Sequence, residues 1–144
     1  MTGALRRWRE LDGGQRRQLM WMMLALPVVD ANLRIAGYVR TRRWLERMSR
    51  NEAPHRASPT EMDASISATR IAAIAGRRGP VAATCLRQSL LLFWLLRRRG
   101  LAPELKLGVR RQDGAVDAHA WVELEGQSLD PQPIAHQAFS GPRD

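Results

Sequence analysis

Residues 84–131 read TCLRQSLLLFWLLRRRGLAPELKLGVRRQDGAVDAHAWVELEGQSLDP, and the order of signals in this stretch decides the fold. Thr84 is a cap residue for a helix that runs from Cys85 to Arg99 and stops at Gly100. Apolar side chains at Leu86, Leu90 and Phe93, and again at Leu92 and Leu96, cover more than one stripe, which predicts a central helix. Arg97, Arg98 and Arg99 fall in its last turn, where cations complement the helix dipole. After Leu101-Ala102-Pro103 the period changes from helical to alternating, with Leu105, Leu107 and Val109 on one face of a strand. Asp113-Gly114 is a two-residue hairpin signal. A second strand, Ala115 to Leu124, turns at Glu125-Gly126 into a third, Gln127 to Asp130, which Pro131 and Pro133 stop. Helices followed by an antiparallel meander predict an α+β fold.

The same stretch holds the residues suited to chemistry. At the first position of a helix, Cys85 meets unpaired backbone N–H groups and the positive end of the dipole, which favour the nucleophilic thiolate. His119 lies mid-strand in Asp117-Ala118-His119-Ala120-Trp121-Val122-Glu123. If the Glu125-Gly126 loop has an even length, 124 pairs with 127, 122 with 129 and 121 with 130. His119 and Asp130 then share a face as diagonal neighbours, about 7–8 Å apart at Cβ. An odd loop would turn Asp130 to the other face. The Asp113-Gly114 hairpin puts Gly108 opposite His119, leaving room beside the imidazole, and Arg110 opposite Asp117, which makes Asp117 the weaker carboxylate candidate. Leu105, Leu107, Val109, Ala118, Ala120 and Val122 occupy the opposite face, so the sheet is expected to be covered on both sides.

Outward from this stretch the chain divides into a helical N-terminal segment (1–50), a linker (51–64) and a core (65–144). Leu11 to Gly14 is a break, with Asp12 the N-cap of a helix whose apolar run from Gln15 to Leu26 predicts burial on most sides. Pro27 is expected to end or kink it. A second helix from about Asp30 carries Leu33, Ile35, Ala36, Val39 and Leu45 on one side, with arginines at 34, 40, 42, 43 and 47 on the other. Such a basic amphipathic helix suits a membrane or partner surface; docking a partner and covering a core carry equal weight for the N-terminal helices, and membrane contact is the less favoured role. Residues 51–60 are polar with two prolines; a short helix, Ile66 to Ala75, follows, and Gly76 to Pro80 breaks it.

The net charge of +9 raises nucleic-acid binding. Only Lys106 is a lysine among 23 basic residues, and the arginines are dispersed along the whole chain. A solvated basic surface therefore explains the charge better, and no nucleic-acid partner is expected. One cysteine excludes an internal disulfide and fits a reducing compartment. The apolar run Leu19 to Val29 falls short of the ~20 residues that span a bilayer. Glu10 and Asp12 precede it, and Pro27 interrupts it, so a cytoplasmic protein is expected in preference to a secreted one. His55 and His136 lie in polar, proline-rich surroundings and read as surface residues. No ligand spacing for a metal is present, and no cofactor is expected.

Cys85 at a helix start, Arg99-Gly-Leu-Ala-Pro-Glu-Leu105, His119-Ala-Trp-Val-Glu123 and Leu129-Asp130-Pro131 together resemble the transglutaminase-like core of the papain superfamily over roughly residues 65–135. That resemblance implies a triad of Cys85, His119 and Asp130. Within the superfamily, Thr84 to Leu90, Leu95 to Gly100 and Leu107 to Arg111 are similar to lasso-peptide leader peptidases. The first 50 residues have no pattern for the winged-helix recognition domain of fused members, so the split form is implied. Its partners would be the precursor peptide, a separate small leader-recognition protein and the macrolactam-forming cyclase. The competing readings are a different transglutaminase-like acyl transferase or amidase, and a non-catalytic adaptor.

Overall fold

The computed structural model describes residues 9–49, 53–78, 85–129 and 137–138. Among the described residues, the helices α1 (Gly13–Met48), α2 (Pro59–Arg78) and α3 (Cys85–Arg98) precede an antiparallel sheet of β1 (Pro103–Gln112), β2 (Ala115–Leu124), β3 (Gln127–Ser128) and β4 (Gln137–Ala138), in the order β3-β2-β1-β4. The protein is α+β, as its sequence predicts.

Asp12 opens α1 as expected, through a reciprocal capping box: its carboxylate accepts from Gln15 N at 2.7 Å, and its N–H donates to Gln15 Oε1 at 3.1 Å. The break in α1 lies elsewhere than the sequence suggests. The helix continues through Pro27, whose fixed φ is already helical, and departs from helical geometry at Gly37, with φ 74° and ψ 174°. Only glycine adopts that conformation readily. Thr41 Oγ1 donates to Gly37 O at 2.8 Å and supports the bend. A second correction concerns α2, which starts at Pro59 instead of Ile66. Ser58 is its N-cap: Glu61 N donates to Ser58 Oγ at 3.2 Å, and Ser58 N to Glu61 Oε2 at 2.8 Å. Proline at the first helical position needs no donor there.

One apolar core joins all three helices to the sheet. Met22 and Leu26 of α1, Ile71 of α2, Leu90 and Leu96 of α3 and Leu124 of β2 are almost wholly enclosed. Truncating any of these leucines to alanine should cost about 2–5 kcal/mol. Only one face of α1 takes part. Leu19, Met22, Leu26 and Val29 are buried, while Met20 and Leu24 are exposed, so the apolar run is not enclosed on most sides. Likewise Leu45 is buried, but Ile35 and Val39 face outward. Asp30 of α1 lies 2.6 Å from Arg87 of α3, an ion contact at the buried junction of the two helices, and 3.0 Å from Arg34.

The hairpins have the registers that their turn residues dictate. Asp113 and Gly114 both take positive φ (52° and 80°), as do Glu125 and Gly126 (53° and 79°), which gives two tight turns of the type that matches strand twist. Gly108 pairs with His119 and Arg110 with Asp117. Leu124 pairs with Gln127 and Glu123 with Ser128, so the second loop is even, and Leu129 N donates to Val122 O at 2.9 Å. Burial differs between the two faces of the sheet. Leu105, Ala120, Val122 and Leu124 are buried beneath the helices, whereas Glu104 of the other face is exposed, and Lys106, His119, Trp121 and Glu123 are half-exposed. Leu107 and Val109 are half-exposed and Ala118 exposed, so the core face thins toward the hairpin tip.

Candidate active site

Cys85 is the first residue of α3 and is half-buried. One turn on, Ser89 projects from the same helix face. Its buried hydroxyl donates to the carbonyl of Ala120 in β2 at 3.0 Å. This bond pins the helix start against the residue next to His119. As a result Cys85 and His119 line one cavity of about 90 Å³. Gln88 and Ser89 of α3, Trp121 of β2, and Thr69 and Ala72 of α2 complete much of its wall.

His119 is oriented along its own strand. Residues 119, 121 and 123 project from one face of β2. The His119 and Trp121 rings stack at 6.0 Å between centroids with an interplanar angle of 18°. Trp121 Nε1 in turn donates to Glu123 Oε1 at 3.0 Å. The His-x-Trp-x-Glu spacing is thus the period of a strand, with the glutamate holding the indole and the indole flanking the imidazole.

The wall opposite β2 is set by small residues of α2. Gly76 is buried, and a Cβ built on it would lie 2.1 Å from Gln88 Nε2 and 2.7 Å from Gln88 Cδ. The absence of a side chain at Gly76 therefore makes the space in which the Gln88 amide lies, one turn beyond Cys85.

Of the residues singled out in the sequence, Cys85 and His119 share the cleft. Asp130, Asp130's neighbour Pro131, the capping candidate Thr84 and His136 lie outside the described residues. His55 is exposed, as expected, but engaged: its Nε2 lies 2.8 Å from Glu61 Oε1, and its backbone N donates to Gly100 O at 2.9 Å. It is not among the residues lining the cleft. Ser89 and the α2 wall were not legible as site residues, nor was Gly76 as the residue that leaves room for Gln88. Their signals are slight: a lone hydroxyl in an apolar helix face at i+4 from the cysteine, and a run of small residues at Ala72, Ala73, Ala75 and Gly76.

A thiol at a helix start and an imidazole on an adjoining strand are the two groups that nucleophilic acyl chemistry needs. The sequence model of the transglutaminase-like superfamily matches residues 25–141. The chain belongs to the transglutaminase-like superfamily. Its members are generally cysteine peptidases and transferases. The match begins within α1, well ahead of residues 65–135, and takes in every element that lines the cleft. No curated protein and no solved structure gives a significant match.

Proposed function

We propose that this transglutaminase-like protein is a cysteine peptidase that cuts the leader from a lasso-peptide precursor. The observation that carries the reading is the meeting of Cys85 and His119 in one cleft. The likeness of Thr84 to Leu90, Leu95 to Gly100 and Leu107 to Arg111 to lasso-peptide leader peptidases supports the choice of substrate.

In the proposed reaction Cys85 Sγ attacks the carbonyl at the leader–core junction while His119 takes the thiol proton. The tetrahedral oxyanion forms near the start of α3, where the backbone N–H of Cys85 is a suitable donor. Collapse breaks the C–N bond, His119 returns the proton to the departing core amine, and the leader remains as a thioester on Cys85. Water, deprotonated by His119, releases the leader acid and restores the thiol. Asp130 is assigned to hold the His119 tautomer, a role to which the even loop at Glu125-Gly126 is suited. The freed core would pass to a separate cyclase. A separate leader-recognition protein would present the precursor, in the cytoplasm, where a lone thiol stays reduced.

The test is to incubate the purified protein with the precursor encoded beside it, with and without the neighbouring recognition protein, and follow the products by mass. One discrete cut that depends on the recognition protein supports the reading. A leader that ends in an amide to an added amine, in place of the free carboxylate, would assign acyl transfer instead, and no product under any pairing would favour the adaptor.

A further inference from the structure

Residues 119, 121 and 123 of β2 share the outward face of the sheet with residues 104, 106 and 108 of β1, because cross-strand partners point the same way. Glu104 stands opposite Glu123, Lys106 opposite Trp121 and Gly108 opposite His119. The charged groups of this patch are divided by distance. Lys106 Nζ lies 2.7 Å from Glu104 Oε2, so the cation beside the indole is matched by a carboxylate of its own strand. The carboxylate of Glu123 serves the indole instead, with Oε1 accepting from Trp121 Nε1 at 3.0 Å.

The imidazole stands next in this row. Across the hairpin it faces Gly108, which has no side chain to bear on it, and along its own strand it stacks on Trp121 at 6.0 Å between centroids. The torsion that turns an aromatic ring about its Cβ–Cγ bond is broad, so a nearly parallel neighbour limits the swing of the imidazole. The indole has the same freedom, and its hydrogen bond to Glu123 restricts it. Trp121 lines the cleft together with Cys85 and His119, whereas Glu123 is not among the lining residues. Glu123 therefore reaches the reacting groups through the indole.

We propose that Glu123 is a positioning residue for the chemistry of Cys85: it locks the Trp121 indole, and the locked indole keeps the His119 imidazole where it takes the thiol proton. The inference deepens the peptidase reading and rests on it for the reaction, but not on the leader as substrate.

The experiment compares wild type, Glu123→Ala, Glu123→Gln, Trp121→Phe and Trp121→Phe/Glu123→Ala, with circular dichroism to verify the fold. Two rates are followed: cleavage of the precursor with the recognition protein present, and alkylation of Cys85 by iodoacetamide at pH 7. Alkylation requires loss of the thiol proton but no peptide, so it reads the Cys85–His119 pair directly. Glu123→Ala should lower kcat about ten- to a hundredfold with KM little changed, and should slow alkylation as well. Glu123→Gln keeps an Oε1 acceptor for the indole and should stay within about threefold of wild type. Trp121→Phe keeps a ring but loses the N–H, so it should be slowed as Glu123→Ala is. In that background Glu123→Ala should cost less than about twofold more. Wild-type rates in Glu123→Ala overturn the proposal. So does a Glu123→Gln variant as slow as Glu123→Ala, which would assign the effect to charge, or a full loss on adding Glu123→Ala to Trp121→Phe, which would show that the carboxylate does not act through the indole. The alkylation series decides the role of Glu123 even if the precursor is left whole, a result that would sink only the choice of substrate.

Discussion

Replacing Ser89 with alanine should damage both stability and turnover, through one hydrogen bond. The Ser89 hydroxyl is buried and donates to Ala120 O at 3.0 Å, so the alanine variant strands a buried carbonyl beside the cleft. An unsatisfied buried acceptor costs about 1–3 kcal/mol. In a chain of this length that lowers the melting temperature by about 3–10 °C. The same bond fixes the distance between the start of α3 and the strand carrying His119, and a misplacement of about 1 Å between reacting groups costs on the order of a hundredfold. The assay is steady-state leader cleavage at a temperature where the variant is fully folded, alongside thermal unfolding followed by circular dichroism. A fall in kcat of about ten- to a hundredfold with little change in KM is expected, because the peptide contacts themselves are kept. Ser89→Thr, which retains the donor, should recover much of the rate. An alanine variant as stable and as fast as wild type would refute the claim that this bond aligns the site.

Gly76→Ala should force the Gln88 amide out of its place, since a Cβ there would lie 2.1 Å from Gln88 Nε2; cleavage should fall by about tenfold or more even though alanine favours the helix, and an unchanged kcat/KM would show the amide to be dispensable. Asp30→Asn removes the carboxylate that lies 2.6 Å from Arg87 and leaves a guanidinium only 19% exposed without its counterion, so urea denaturation should show a loss of about 3 kcal/mol. The N–H of Ser58, and after it the side chain of His55, hold the Glu61 carboxyl below the usual carboxylate range. A depressed folded-state pKa contributes stability that is present above the unfolded value and is lost as pH falls through the folded one; melting temperature should therefore drop across that acid window in wild type and run flatter in Glu61→Gln.

The second half of the chain was legible because its signals are local and agree with one another. Asp113-Gly114 and Glu125-Gly126 set both hairpin registers by turn chemistry alone, and the registers place His119, Trp121 and Glu123 together. Gly100, with φ of 81°, ends α3 through bonds from its own N to Arg97 O and from Leu101 N to Leu96 O, as a glycine after a helix should. The helical half was read less well, for two reasons. Pro27 marks the break by sequence pattern, but its fixed φ is already helical and the helix runs through it, whereas Gly37 breaks the helix through a positive φ that only glycine takes readily. The start of α2 was legible in Ser58-Pro59-Thr60-Glu61, a capping box with proline at the first position, but the two prolines of 51–60 suggested a linker instead. Burial around α1 was harder still. An almost uniformly apolar run does not say which face meets the core; that depends on where α2 and α3 pack. Ser89 in the cleft, and Gly76 behind the cleft residue Gln88, gain their roles only from a neighbour distant in sequence, Ala120 in one case and Gln88 in the other.

The central claim is that Cys85 attacks the leader carbonyl, and it has a direct readout because the chain contains a single cysteine. The measurement is the intact mass of the protein, acid-quenched during a single turnover with precursor and recognition protein, for wild type, His119→Ala and Cys85→Ala. The account predicts a wild-type species heavier by the acyl leader and mapped to Cys85, a slower approach to it in His119→Ala, and neither adduct nor cleavage in Cys85→Ala. Cleavage by Cys85→Ala at the wild-type rate would contradict it.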